Sequence, residues 1–317
     1  MDRDKTLSQQ FVSLKQNLER KKERGHGEFL VGIKSIDEII NGIDKGQVMV
    51  VGGGPGSGKT SLALQMAYPI SDNPEYDVLF ISLEMTGQEL VGRLLCNVMQ
   101  MDNYFLRTGS YSQYDVNPEE KVDAFEKIIQ QNSLQIIDNR GYRFEDIEEI
   151  IKEHYPTKAP DIIFIDFLQL IDWSDVNNQN AVIVSFIRKL TEIAKIKNMA
   201  IVLVSQLRRQ PTGQNEQRRP SMHDLLGSGA IEQCAHVILM IYKEVLGDET
   251  RKYHIAIDKN RNGESGADIL VNFSGKHFRF SDLDEIEPTV PVDKIKAIFS
   301  ADLQEKEGGQ VIDAPEI

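Results

Sequence analysis

The chain contains few cysteines, no cluster of metal-ligating residues and no long apolar segment. Only Cys96 and Cys234 occur in its 317 residues, no C-x-x-C pair is present, and the six histidines are scattered without ligand spacing. This usage argues against disulfides and a zinc site, and it is typical of reduced, buried thiols in a cytosolic protein. No run of about 18 apolar residues occurs, and the charged start at residues 2–5 does not resemble a signal peptide. We therefore expect a cytosolic protein without a membrane segment.

The chain also lacks an excess of positive charge, which by itself argues against nucleic acid as a partner. The formal net charge is −13, and residues 281–317 hold ten acidic residues against three lysines, a net of −7. In the remaining part, however, Arg208, Arg209, Arg218 and Arg219 lie in one polar stretch. A local basic loop on an acidic protein can bind phosphates when it faces a confined channel. The same arginines could equally be solvated residues of a surface loop, so charge alone leaves DNA binding open.

The order of apolar and helical segments predicts an α/β fold in three parts. Residues 1–28 are polar with apolar residues at helical spacing, which predicts either a short N-terminal helix or a frayed terminus, and we expect the helix. Residues 29–280 alternate strands with helices, as a mostly parallel central sheet requires. Residues 281–317 form an acidic C-terminal tail, whose apolar cluster at Ile295, Ile298 and Phe299 either docks on a partner or folds back on the core. The predicted strands are 48–51, 78–83, 134–137, 162–165, 201–204 and 237–242, the helices lie near 60–70, 86–101, 145–153 and 180–197, and 253–258 with 269–273 form a C-terminal β-hairpin.

Residues 53–60, which read G-G-P-G-S-G-K-T, are the most informative positions in the chain. They follow an apolar strand and precede a helical stretch, the order that a phosphate-binding P-loop needs. Glycines let successive backbone N–H groups turn towards an anion, and the positive end of the helix completes the cradle. Lys59 can reach the β- and γ-phosphates, and the Thr60 hydroxyl can bind Mg²⁺. The chain is therefore predicted to bind ATP or another nucleoside triphosphate with Mg²⁺, through Gly53, Gly54, Pro55, Gly56, Ser57, Gly58, Lys59, Thr60 and Ser61.

Three polar residues at strand ends are candidates for the machinery that hydrolyses the triphosphate. Asp166 ends a buried strand and can hold a water on Mg²⁺ or orient Thr60. The next residue is Phe167, so no glutamate stands beside Asp166 to polarise the attacking water. Glu84 follows a strand that we expect next to the P-loop strand, where it can act as general base or orient the water. Gln206 ends a third strand, where its amide can sense the γ-phosphate and pass its presence to the following loop.

The P-loop and five further tracts, in this order, resemble the RecA-like motor domain of DnaB-type replicative helicases. The tracts are Ser82-Leu83-Glu84-Met85, Asp166-Phe167-Leu168-Gln169-Leu170, Ser205-Gln206-Leu207, Gly229-Ala230-Ile231-Glu232-Gln233 and Lys259-Asn260-Arg261-Asn262-Gly263. Together they extend over roughly residues 30–280, most of the chain. The resemblance implies a RecA-like P-loop NTPase core and a ring, usually of six subunits, with nucleotide bound at each subunit interface. It also implies ATP hydrolysis coupled to 5′ to 3′ movement on single-stranded DNA and to unwinding of the duplex ahead.

The resemblance assigns roles to individual positions. It implies phosphate contact by Lys59, Mg²⁺ contact by Thr60 and Asp166, catalysis by Glu84, γ-phosphate sensing by Gln206, nucleotide contact by Arg93, and action in the neighbouring subunit's site by Lys259 and Arg261. An arginine supplied in trans is worth about 10³–10⁵ in kcat in comparable enzymes, and it makes hydrolysis depend on ring assembly. Lys259 and Arg261 could instead be solvated residues of a hairpin turn.

Two positions depart from the family pattern. Gly56-Ser57 replaces a bulkier residue before the last P-loop glycine, and Leu226-Gly227 stands where bacterial members commonly have an arginine and a glutamate. DNA contact is therefore assigned to backbone N–H groups of the glycine loop and to nearby arginines: Gly227, Ser228, Gly229, Arg208, Arg209, Arg218 and Arg219. The 28-residue leader can match only the family's linker helix. We accordingly expect primase and a helicase loader as separate chains, and a phage or mobile-element protein in a bacterial or archaeal cell.

We hypothesise an ATP-dependent, ring-forming DNA helicase, and two other classes stay open. A recombinase-like or clock-type RecA-fold ATPase shares the P-loop and the distal glutamate, although the tracts near Gln206 and Arg261 argue against it. A non-unwinding, ATP-gated loading or assembly factor would form rings without separating strands. Hydrolysis stimulated by single-stranded DNA, together with strand displacement, distinguishes the three.

Overall fold

The chain forms an α/β fold, as its sequence predicts, and the computed structural model describes residues 6–113, 115, 117–138, 144–166, 179–208, 219–246 and 250–284. Within these residues the helices are α1 (Leu7–Arg24), α2 (Lys34–Ile40), α3 (Lys59–Ser71), α4 (Gly87–Met99), α5 (Tyr104–Thr108), α6 (Pro118–Ile129), α7 (Phe144–His154), α8 (Gln179–Lys197) and α9 (Ser228–Cys234). The strands are β1 (Val48–Gly53), β2 (Val78–Ser82), β3 (Leu134–Ile137), β4 (Ile162–Asp166), β5 (Ala200–Gln206), β6 (Val237–Leu246), β7 (Thr250–Asn260), β8 (Asp268–Ser274) and β9 (Arg279–Ser281).

The described strands form one mostly parallel sheet in the order β3-β2-β4-β5-β1-β6-β7-β8-β9. All neighbours from β3 to β6 run parallel. Every residue of β1, β2 and β4 is buried, because helices cover both faces of this part of the sheet. Strands of that kind read as continuous apolar runs rather than as an alternating pattern. The six predicted strands are confirmed, although β3 is only partly buried and β6 continues four residues beyond its predicted end.

The sheet order corrects one expectation about the strand that precedes Glu84. β2 pairs with β3 and β4, whereas β1 pairs with β5 and β6, so two strands separate β2 from the P-loop strand. Parallel strands are joined by crossovers, and neighbours in sequence therefore need not be neighbours in the sheet. The register still aligns the strand ends, because Gly53 lies beside Gln206 and Ser82 lies beside Asp166. The carboxyl ends of β1, β2, β4 and β5 thus form one edge.

The predicted C-terminal hairpin is confirmed and belongs to a longer antiparallel extension of the sheet. β7 and β8 pair around the predicted turn, and β6 and β7 are also antiparallel along the whole of β6. One irregularity interrupts the second pairing. Ile238 lies opposite Lys259 and Leu239 lies opposite Ile257, so Asp258 is the extra residue of a β-bulge.

Two apolar layers hold the sheet between helices. One layer packs β-strand residues such as Phe80 and Phe164, whose ring centroids lie 5.8 Å apart, against α3, α4 and α6. The other layer packs the opposite face against α7, α8 and α9, with Ile183 and Phe186 of α8 fully buried. Loops at the carboxyl edge are therefore anchored on a rigid core.

The predicted N-terminal helix is confirmed as α1. Thr6 caps it, because the Thr6 hydroxyl accepts a hydrogen bond from the Gln9 N–H while the Gln9 side chain accepts from the Thr6 N–H. The helix ends at Gly25, whose φ of 79° suits glycine. No side chain of α1 is buried, and Lys21 joins it to the core through Asp44, with 2.5 Å between Nζ and Oδ2.

Some expectations lie outside the described residues or change in detail. The tail beyond residue 284, with Ile295, Ile298 and Phe299, is outside them. Cys96 is buried as expected, whereas Cys234 is only partly buried because it ends the short helix α9. Among the described helices, none has the length and apolarity needed to cross a membrane.

Candidate functional site at the carboxyl edge of the sheet

The P-loop connects β1 to α3 in a conformation that depends on glycine. Gly56 has φ of +64° and Gly58 has φ of +98°, values that L-residues with a Cβ rarely adopt. A Cβ on Gly58 would also lie 2.6 Å from Cζ of the buried Phe280. The first turn of α3 has no side-chain cap, so its N–H groups remain available to an anion. The loop therefore has the features of a phosphate cradle.

A cavity of about 370 Å³ opens beside this loop and brings together residues that are far apart in sequence. It contains Glu84 from the end of β2, Arg93 from α4 and Gln206 from the end of β5. Four of the six predicted groups outside the P-loop tract thus meet or border one space, since Asp166 lies just beneath it on β4. The full lining is Pro55, Gly56, Gly58, Lys59, Thr60, Glu84, Met85, Glu89, Arg93 and Gln206. Met85 and Glu89 are additions that the sequence alone did not indicate.

Lys59 is held in the cavity by its surroundings. Its side chain is 6% exposed, and Nζ donates a hydrogen bond to the Gly54 carbonyl oxygen at 2.8 Å. Burial lowers the pKa of Lys59, while the negative charges of Asp166 and Glu84 act to raise it. A buried ammonium group at the rim of an anion cradle fits a phosphate.

Asp166 is fully buried at the end of β4. Burial raises its pKa to about 6, and the nearby charge of Glu84 adds to the rise, while the Thr60 hydroxyl and the charges of Lys59 and Arg93 act against it. The Thr60 hydroxyl lies near the Asp166 carboxylate, but among the described residues neither carboxylate oxygen receives a well-formed hydrogen bond. A buried, unsatisfied carboxylate near a threonine hydroxyl fits Mg²⁺, which is bound through one or two carboxylates together with phosphate oxygens.

Arg93 is positioned by a residue that the sequence did not single out. Its guanidinium carbon lies 5.0 Å from the ring centroid of Phe278, a cation–π distance. The Phe278 backbone has φ of +50°, and its carbonyl oxygen accepts a hydrogen bond of 3.0 Å from Asn97 Nδ2 on α4. Burial lowers the pKa of Arg93, against the raising effect of Asp166 and Glu84.

Lys259 and Arg261 lie at the opposite, amino edge of the sheet. Lys259 is aligned through Ile238 with Val50 of β1. With about 3.3 Å per residue along a strand and about 4.8 Å between strands, its backbone is roughly 14 Å from Gly53. The Arg261 N–H bonds to the His236 carbonyl, one residue before β6. Neither side chain can reach the cavity of its own chain.

Both cations instead contact the end of α9. Lys259 Nζ donates to the Glu232 carbonyl, and an Arg261 Nη donates to the Gln233 carbonyl at 2.9 Å. Cations are favoured at a helix C-terminus, where carbonyl groups point outward. Burial also lowers the pKa of Lys259, and the Arg261 charge adds to that effect. Both side chains are therefore held by the carbonyl end of α9 in their own chain.

The four predicted DNA-binding arginines fall into three groups. Arg208 supports the glycine loop, because its guanidinium donates to the Leu225 carbonyl at 3.0 Å and to Ser228 Oγ at 2.9 Å. Arg219 is paired with Asp258, 2.6 Å apart. Arg209 and Arg218 lie outside the described residues. The two described arginines therefore organise their own chain, and their contact with DNA stays a prediction.

The departure at Gly227 has a physical reason. Its φ is +74°, and a Cβ there would lie 2.4 Å from Cγ2 of the buried Ile183 on α8. A glutamate at this position would need a shift of α8 against the loop. At Gly229 a Cβ would meet nothing within 4 Å, so the loop is open on that side.

A P-loop at the carboxyl edge of a mostly parallel sheet, with carboxylates and an amide from neighbouring strands, defines the class of RecA-like P-loop NTPases. Within that class, residues 29–282 match the family model of the DnaB-like helicase C-terminal domain, and the chain belongs to this family.

Individual relatives agree with this assignment. A "Probable plasmid replicative DNA helicase" from Chlamydia trachomatis serovar L2 is 30% identical over 258 residues, which are 81% of this chain and 55% of that protein. A solved ATPase domain, 24% identical with a TM-score of 0.76, covers 89% of this chain and 100% of its own length. The structure titled "The Structure Of A DnaB-Like Replicative Helicase And Its Interactions With Primase" is 23% identical, has a TM-score of 0.75 and covers 88% of this chain and 69% of its own length. The two structures show the shared fold, and the chain spans about half the length of the curated relatives it matches.

Proposed function

We propose that this chain is an ATP-dependent replicative DNA helicase that forms a ring, moves along single-stranded DNA and unwinds duplex, with the 5′ to 3′ polarity that the family resemblance implies. The observation that carries the proposal is the cavity in which the P-loop, Glu84, Gln206 and Arg93 meet. A cradle alone would support nucleotide binding. A cradle with a carboxylate and an amide at its rim supports hydrolysis that a neighbouring loop can sense.

The proposed chemistry divides among the residues of the cavity. Backbone N–H groups of the P-loop and the Lys59 ammonium bind the phosphates. Thr60 and Asp166 would hold Mg²⁺, which would supply positive charge to the transferred phosphoryl group. Glu84 orients the attacking water or accepts its proton, worth about 10²–10⁴-fold in rate. Gln206 lines the cavity, where its amide would sense the γ-phosphate, and it connects directly to the loop that begins at residue 207.

Arg261 and Lys259 are proposed to act in the neighbouring subunit. Their position at the amino edge, roughly 14 Å or more from their own P-loop, supports action in trans, because a charge at that distance cannot stabilise a phosphoryl group in its own cavity. Both lie on the surface of the hairpin side of the sheet and are bonded only to helix-end carbonyls among the described residues. Such bonds can be exchanged for phosphate oxygens when a second subunit packs against this side.

DNA is proposed to bind at residues 207–229, whose described part at 219–229 leads into α9. Gly227 and Gly229 present backbone N–H groups at a loop that Arg208 holds in place, whereas the Ser228 N–H donates to the Leu225 carbonyl at 3.2 Å. Backbone contacts of this kind carry no sequence information and suit a motor that must travel over any sequence. Primase and a loader are proposed partners, and replication would place the protein in the cytosol.

The test uses the purified full chain, Mg²⁺-ATP, a single-stranded oligonucleotide and a forked duplex. We expect the oligonucleotide to stimulate ATP hydrolysis, and we expect displacement of one strand of the fork. Lys59→Ala should abolish both activities, whereas Lys34→Ala, a change at a side chain that is 84% exposed, should leave both intact. Particle imaging should show rings.

Other outcomes discriminate between the remaining classes. A Lys59→Ala protein that unwinds normally would contradict the site. Rings that hydrolyse ATP without displacing a strand would favour a loading factor. Filaments that promote strand exchange would favour a recombinase-like ATPase.

A further inference from the structure

Asp258 lies at the point where the strand of the trans-acting cations meets the proposed DNA-binding loop. It is the extra residue of the β-bulge in β7, directly before Lys259. Bulges re-aim side chains and occur near active sites. In a regular strand, residues 258 and 259 would face opposite sides of the sheet. Here Lys259 contacts α9 and Asp258 contacts Met222, and both partners lie on the same side of the sheet.

The Asp258 carboxylate anchors residues 219–222 of the proposed DNA-binding loop through two short hydrogen bonds. Its Oδ1 accepts from an Arg219 Nη at 2.6 Å, and its Oδ2 accepts from the Met222 N–H at 2.6 Å. The Asp258 side chain is only 9% exposed, so the carboxylate of this charge-assisted pair is shielded from solvent, whereas the Arg219 side chain is 36% exposed. Asp268 of β8 adds a second carboxylate, 3.8 Å from Arg219 Nε.

Further contacts connect Met222 with the glycine loop at residues 227–229. Met222 begins a short 3₁₀ turn that ends at Asp224. The Asp224 carbonyl accepts from the Arg208 N–H at 2.8 Å, and Leu207 pairs with Leu225 in an isolated bridge. The loop is thus tied to β5, which ends at the γ-phosphate sensor, and through Asp258 to β7, which carries Lys259.

We propose that Asp258 is a positioning residue that couples the DNA-binding loop to the cations acting on the neighbouring subunit's nucleotide. DNA bound to the loop shifts the segment at residues 219–222, and the bulge transmits this shift to Lys259 and Arg261. The shifted cations then accelerate ATP hydrolysis at the nucleotide site of the neighbouring subunit. The inference rests on the proposed function and adds the route by which DNA regulates the site. Among the described contacts, Asp258 is the residue on β7 that bonds both side chain and backbone of this segment.

Asp258→Asn is the sharpest test, because the amide oxygen can still accept from the Met222 N–H while the charge that pairs with Arg219 is removed. We expect the DNA-stimulated kcat to fall at least about tenfold, since a misplacement of about 1 Å remote from the chemistry can cost about 10²-fold. The unstimulated rate, the KM for ATP and the affinity for a fluorescent oligonucleotide should stay within about threefold. Glu264→Gln, at an exposed carboxylate in the β7–β8 turn, is the matched control and should behave as wild type.

Arg219→Gln removes the positive partner of the Arg219–Asp258 ion pair. If the pair acts as one unit, Arg219→Gln with Asp258→Asn should lose no more stimulation than Asp258→Asn alone, because coupled residues are not additive. Thermal unfolding confirms that each variant is folded.

Two results would overturn the inference. One is a folded Asp258→Asn protein that keeps full DNA stimulation. The other is an equal loss of stimulated and unstimulated rates, which indicates a merely structural role. A wild type that hydrolyses no nucleotide would contradict the proposed function as well, so the two failures are distinguishable.

Discussion

Replacing Asp166 by asparagine should stabilise the nucleotide-free protein at neutral pH while it abolishes Mg²⁺-dependent hydrolysis. Burial raises the pKa of Asp166 from 3.8 to about 6. Each pH unit of such a difference corresponds to about 1.36 kcal/mol, so ionisation of this carboxylate destabilises the empty fold by about 3 kcal/mol. Since the folded pKa is the higher one, the penalty is absent below pH ~4, grows as pH rises and is complete above pH ~6.

The assay compares wild type and Asp166→Asn by urea unfolding across this pH range. The free energy of unfolding of the variant should rise relative to wild type by most of about 3 kcal/mol between pH ~4 and pH ~7. An unsatisfied amide could cost about 1–3 kcal/mol, but that cost does not depend on pH. A difference that is constant with pH, or that falls as pH rises, would refute the reasoning.

Asp161→Asn is a control for which we expect the opposite effect on the free energy of unfolding. Asp161 is 2% exposed, and although burial acts to raise its pKa, the ion pairs with Lys45 at 2.6 Å and Lys158 at 3.0 Å and the Asp77 N–H hold it below its ordinary value. Its carboxylate stabilises the fold above its unfolded pKa, and this contribution is lost as pH falls. Asp161→Asn should therefore destabilise the protein most at neutral pH.

Two further predictions concern the walls of the cavity. Gly58→Ala should lower the free energy of unfolding by about 1–3 kcal/mol more than Gly56→Ala, because both positions have positive φ but only at Gly58 does the added methyl overlap Phe280; equal denaturant midpoints for the two variants would contradict this. Phe278→Leu removes a cation–π contact worth about 0.5–2 kcal/mol from Arg93, and steady-state kinetics should show a KM for ATP raised about 2–30-fold, whereas an unchanged KM would indicate that the ring does not position Arg93.

The parallel half of the fold could be predicted because its signals are local. β1, β2 and β4 are buried along their whole length, so each appears in the sequence as an uninterrupted apolar run, and the glycines of the P-loop lie next to one of them. Glu84 and Gln206 could be assigned for a related reason. A polar residue directly after a buried parallel strand must lie at the carboxyl edge, whatever the order of the strands.

The remainder depends on contacts between distant segments, which no local pattern records. The order of β2 relative to β1 is set by crossovers. The bulge at Asp258 exists only in the pairing of β6 with β7. Phe278 contacts Arg93, which lies 185 residues earlier in the chain. Arg219, which the sequence predicts to bind DNA, forms an ion pair with Asp258 of its own chain.

The most direct test of the central claim, that two subunits share each nucleotide site, is an experiment with mixed rings of Glu84→Gln and Arg261→Ala proteins. Each variant alone should be inactive, because every interface then lacks either the carboxylate or the arginine. In randomly mixed rings with head-to-tail interfaces, about a quarter of the interfaces combine an intact cavity with an intact arginine. The account predicts recovery of up to about that fraction of the wild-type ATPase rate per interface. No recovery in rings shown to contain both proteins, or full activity of Arg261→Ala as a monomer, would contradict it.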